Sequence, residues 1–89
     1  MTDSERWSQQ HSDDFEMARE LLGSLIAAST ARLSIVAADD EEAEFLRKEV
    51  QTYAAERRNL SVHDRGKINK ILSDYPAKLK ARQAESHGR

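Results

Sequence analysis

The stretch "LLGSLIAASTARLSIVAA", Leu21–Ala38, followed at once by "DDEE", 39–42, decides how this chain folds. It holds eighteen residues and a single charge, Arg32, in a chain of 89 residues of which 34% are Asp, Glu, Lys or Arg. Such a run is a membrane span, a core helix, or a surface that another molecule covers.

A membrane span is not expected. The run approaches the ~20 apolar residues a span needs, but Arg32 would sit within the bilayer at a cost of at least ~2.5 kcal/mol. Gly23, Ser24, Ser29, Thr30 and Ser34 dilute it. Both flanks, "DDFEMARE" and "DDEEAE", are acidic, whereas spans are oriented by flanking Lys and Arg. A secretory leader fails on the same acidic start.

The spacing instead predicts an amphipathic helix. Phe15, Ala18, Leu22, Leu25, Ile26, Leu33 and Val36 recur with helical period. Met17, Leu21, Ala28 and Ile35 form a second stripe beside them, and the remaining face is small: Gly23, Ala27, Thr30, Ser34, Ala37. A helix apolar over half its surface and small over the rest is expected to be central, touched on more than one side.

Working outward, helix 1 is expected to start near Asp13, which has capping-box spacing to Glu16. "DDEE" reads as a turn and a helix start, with Asp39 and Glu42 again at that spacing. Helix 2 follows from about Glu41 to Arg58, with Ala43, Leu46, Val50, Tyr53 and Ala54 on one stripe and Phe45 off it. "NLS" breaks the pattern, and Ser61 with Asp64 opens helix 3, whose inner face is Ile68, Ile71, Leu72, Tyr75 and Leu79. Pro76 must kink or restart that helix, because it cannot donate to the carbonyl of Leu72.

The expected fold is all-α: a small antiparallel three-helix bundle, a helical hairpin plus a Pro-kinked third helix, with frayed termini. Residues 1–11 are read as a flexible N-terminal tail, 12–84 as one helical domain and 85–89 as a flexible C-terminal tail. A rival architecture competes with it. A heptad numbered from Phe15 runs to Leu60 without slipping, so residues 13–58 could form one long helix of a dimeric coiled coil. Ser29, Arg32, Asp39 and Arg57 in the seam oppose it.

No motif commits the chain to a chemistry. Cysteine is absent, which excludes disulfides and thiolate zinc sites and fits a cytoplasmic setting. His11, His63 and His87 are scattered, and the acids at 39–42 lack the alternation and glycine of a calcium loop. No catalytic residue, metal ligand, cofactor or small-molecule substrate is expected.

What remains are surfaces. Residues 1–56 carry 13 acids and 5 bases, and residues 57–89 carry 3 acids and 9 bases. The apolar surplus of helix 1 points to self-association or a protein partner. Trp7, Ile26, Arg32 and Phe45 are the candidate partner anchors, since aromatic and arginine side chains dominate interfaces. Arg32 alternatively pairs with Glu49 or Glu56 on helix 2. Arg57, Arg58, Arg65, Lys67, Lys70 and Lys78 are the candidate contacts to phosphates or an acidic partner. The leading expectation is a non-enzymatic interaction module that occupies a protein partner, as an antitoxin, immunity factor or adaptor does. The alternatives are a small nucleic-acid-associated regulator using the basic third helix, and a dimeric coiled-coil spacer.

Overall fold

In the computed structural model, residues 3–87 are described, with side chains from 9 to 85. They form three helices, α1 (Asp3–Leu33), α2 (Glu41–Asn59) and α3 (Arg65–His87). The small all-α bundle expected from the hydrophobic spacing is what forms, and the hairpin rather than the single long helix connects α1 to α2.

The apolar run does not stay helical to its end. After Leu33 the backbone tightens: Ile35 N–H donates to the Arg32 carbonyl at 3.1 Å and Val36 N–H to that of Leu33 at 3.4 Å. These three-residue closures satisfy carbonyls that the helix leaves free. The Ser34 hydroxyl also donates back to the Ala31 carbonyl at 2.7 Å. Asp40, with φ −72° and ψ 146°, then caps α2 by accepting from the Glu42 N–H at 2.9 Å. The cap is one residue later than the Asp39–Glu42 box predicts, which releases the Glu42 carboxylate for another partner. Four acids at a helix start oppose the N-terminal dipole, and this local preference interrupts the heptad.

Helix α1 begins at Asp3, ten residues before the expected Asp13. No Gly or Pro separates the two positions, and Gln10 Nε2 donates to Asp14 Oδ1 at 3.0 Å along the helix surface. At the other boundary, α3 starts at Arg65 rather than Ser61. Ser61 caps the preceding turn, accepting from His63 N–H at 3.2 Å, and the Asp64 carbonyl receives Ile68 N–H at 2.9 Å. α3 then runs through Pro76 to His87 and does not restart there. It simply lacks the N–H that would have met Leu72. The C-terminal segment from 85 is helical as far as His87.

α1 packs against both α2 and α3, while the backbones of α2 and α3 stay more than 8 Å apart. The Cα envelope, 56 × 25 × 15 Å, is accordingly a thin slab with α1 in its middle. α2 runs antiparallel to α1, and α3 runs parallel to it, since Arg65 meets Asp14 at one end and Arg82 meets Glu49 beside Ser29 at the other.

The core is small. Ala18, Leu22 and Leu25 of α1 pack with Tyr53, Leu60, Ile68 and Ile71, and Ala43, Leu46 and Ser29 are buried toward the turn. α2 and α3 meet only through side chains. The rings of Tyr53 and Tyr75 stand edge-to-face at 5.8 Å, and the Tyr75 hydroxyl donates to Glu56 Oε1 at 2.9 Å. Among the described residues no helix is long and apolar enough to cross a membrane.

Candidate functional site

Three residues of α1, Phe15, Arg19 and Ile26, lie on the flank that turns from the core toward α2. They follow each other at four and seven residues, so they share one helix face over about 16 Å. The last turns of α2 bring Ala54, Arg57 and Arg58 alongside, and Leu60, buried as the chain leaves the helix, closes the end. Together they line an open cleft of about 540 Å³.

Its chemistry is an apolar floor with arginines on the walls. The Arg19 guanidinium stacks 5.8 Å from the centre of the Phe15 ring, an attraction between cation and ring face. Arg19 Nε is buried without a hydrogen-bond partner. Arg57 lies across α1, its Nε donating to the Arg19 carbonyl at 3.2 Å. Gly23 is not required for that approach, since an added Cβ would stand 3.6 Å from Arg57 Nε, an ordinary van der Waals contact. Arg58 is exposed beside it. None of the three forms an ion pair among the described residues.

The basic residues of α3 behave differently. Arg65 pairs with Asp14 at 3.0 Å, Lys67 with Asp64 at 3.9 Å and Lys70 with Asp74 at 3.5 Å, and Lys78 sits 4.8 Å over the Tyr75 ring. Arg82 is held by Glu49 at 2.5 Å and Glu85 at 2.6 Å. Six predicted cationic contacts therefore divide: Arg57 and Arg58 converge on the cleft, while Arg65, Lys67, Lys70 and Lys78 each have an intramolecular partner.

The predicted anchors also separate. Ile26 lines the cleft. Arg32 is engaged at the hairpin turn, and its partner is Glu42, with Nε–Oε2 at 2.8 Å and Nη2–Oε1 at 3.2 Å, rather than Glu49 or Glu56. An antiparallel hairpin places the last turn of α1 opposite the first turn of α2, so Glu49 is too far along. Glu49 and Glu56 serve Arg82 and Tyr75 instead. Phe45 is 56% exposed and lines a separate groove between α2 and α3 with Tyr53 and Tyr75. The Trp7 side chain lies outside the described residues.

Two lining residues, Phe15 and Arg19, escaped the sequence reading as site residues. Their signal was present as an i,i+4 aromatic–arginine pair one turn ahead of Gly23. The lining residues offer neither a nucleophile nor a proton-transfer group. Among the described residues no three metal-ligating side chains are grouped. What the cleft can do is hold an anionic group beside an apolar one. Compared with known proteins, the chain matches no family model, no curated protein and no solved structure.

Proposed function

We propose that this protein is a non-enzymatic interaction module that binds and occupies a protein partner in the cytoplasm, in the manner of an antitoxin, immunity factor or adaptor. The observation that carries this reading is the cleft between α1 and α2, where three arginines without a carboxylate partner among the described residues stand beside Phe15, Ile26 and Leu60. Arginine and aromatic side chains beside uncovered apolar surface are what interface centres are made of. Exposed Met17 on the α1–α3 side and Phe45 on the α2–α3 side add apolar surface for self-association.

The test is affinity capture from lysate of the native host, run with and without nuclease. The reading expects one stoichiometric protein that survives nuclease, and the assignment of the cleft as its surface expects that protein to be lost with Arg57→Glu/Arg58→Glu. Recovery that collapses with nuclease would transfer the function to the second reading, a nucleic-acid-associated regulator. That reading is supported by the 9 bases in residues 57–89 and predicts steep salt dependence.

A further inference from the structure

We infer that the occupant of the α1–α2 cleft is an acidic amphipathic helix of the partner, its carboxylates on Arg19, Arg57 and Arg58 and its apolar side chains on Phe15, Ile26 and Leu60. This rests on the reading of the protein as an interaction module and adds the chemistry of what it binds.

Charge is the first argument. Arg19 is partly desolvated, and its buried Nε has no acceptor. Arg19 has no ion pair among the described residues, and a carboxylate arriving at its guanidinium gains a charge-assisted hydrogen bond. Arg57 is already oriented by the Arg19 carbonyl, so less side-chain freedom is lost when it engages a second acceptor.

Shape is the second. The apolar floor from Phe15 to Ile26 is about 16 Å long, the rise of three helical turns. A partner helix reads such a groove through anchors spaced i, i+3 or i+4, and i+7. A nucleic-acid backbone would leave this floor unused.

The experiment titrates the isotopically labelled full chain with synthetic peptides of about 20 residues, long enough to hold a helix. One set carries leucines at helical spacing flanked by glutamates in several registers. Controls have the same composition scrambled, or lysine in place of glutamate. Oligothymidine is the nucleic-acid probe. The expected result is saturable binding of an acidic amphipathic peptide, with amide shifts at Phe15, Ile26 and Leu60. Affinity should fall at least about tenfold in Arg57→Glu/Arg58→Glu, the loss of ~1.4 kcal/mol of binding. Both positions are exposed, and the helical circular dichroism of the variant checks that it folds.

Equal binding of the scrambled or lysine peptides overturns the inference, as does tighter binding of oligothymidine that the same variant abolishes. No peptide binding, with a lysate partner still captured by both wild type and variant, overturns the cleft assignment and leaves the interaction reading standing. Capture of no protein partner at all overturns that reading itself.

Discussion

Arg32 and Glu42, ten residues apart in the chain, form a two-point ion pair across the α1–α2 turn, at 2.8 Å and 3.2 Å. The pair exists only if the chain reverses between them, so it is a signature of the hairpin. A long helix would leave the two side chains many ångströms apart along its axis. Glu42 holds the Arg32 charge, and the Arg32 guanidinium in turn keeps the Glu42 carboxyl below its usual range. Because both groups are still partly solvated, each of Arg32→Met and Glu42→Gln should lower Tm by only a few degrees. The double variant should lose less than the sum of the two, as measured by a thermal double-mutant cycle. Strict additivity would show that the pair contributes no coupling.

Leu22 is completely buried, at the centre of the contact between α1 and its two neighbours. Leu22→Ala should cost about 3 kcal/mol. A domain of this size holds on the order of 3–5 kcal/mol in total, so the variant should retain at most ~2 kcal/mol and melt far below wild type by circular dichroism. Met17→Ala, on a side chain that is 56% exposed, should stay within ~0.5 kcal/mol of wild type. Equal effects would mean that the packing of α1 is rotated from the one described.

Acid should destabilise the fold in two stages. The His11 pKa is lowered from 6.5, first by desolvation and then by the Arg65 charge. Asp14 is lowered from 3.8, first by its hydrogen bond to Arg65, and Glu42 from 4.5 by its bond to Arg32. Each group binds its proton more readily when unfolded, so each contributes stability that is present at higher pH and lost as pH falls through its range. Tm should be flat from neutrality to pH 10, dip as pH falls below 6.5, and drop again below 4.5. His11→Ala should remove the first step and Arg65→Met should reduce both. A Tm that rises on acidification would contradict the pairing of Arg65 with Asp14.

Burial, followed by donation to Glu56, pushes the Tyr75 phenol up to about 12, because the neutral form is the one that donates. With the folded value above the unfolded one, the stabilisation is complete below pH 10 and is lost as pH rises toward 12. Absorbance titration of the folded chain should therefore show Tyr75 ionising near 12, well above the tyrosines of the unfolded chain. Tyr75→Phe should abolish this late step and cost about 1 kcal/mol, the net worth of one hydrogen bond. A single tyrosine step near 10 would mean that Tyr75 and Glu56 are not in contact.

Much of the architecture was legible because it is local. Helical spacing of Ala18, Leu22 and Leu25, of Ala43, Leu46 and Tyr53, and of Ile68 and Ile71 named the side chains that are now buried. Phe45 read as off the stripe and is exposed. Helix ends were less legible. Capping-box spacing at Asp13 and Asp39 is satisfied by many Asp/Glu pairs, and the actual cap at α2, Asp40, is chosen by backbone geometry that no spacing encodes. The candidate cleft was half visible: Ile26, Arg57 and Arg58 were read from composition, whereas Phe15 and Arg19 acquire their meaning only once α2 lies beside them.

By itself the sequence determined that this protein is all-helical, that α1 is its central element and that the basic charge lies in its last third. These follow from periodicity, propensity and the charge of each residue, which act over one or two turns of chain. Which charges stay unpaired is set when the helices pack. Arg65 and Arg82 are neutralised by Asp14 and Glu49, while among the described residues Arg19 and Arg58 have no ion pair. The physical reason is distance: ion pairing acts over a few ångströms, and only the folded bundle brings Asp14 to Arg65 or Glu49 to Arg82, 51 and 33 residues apart.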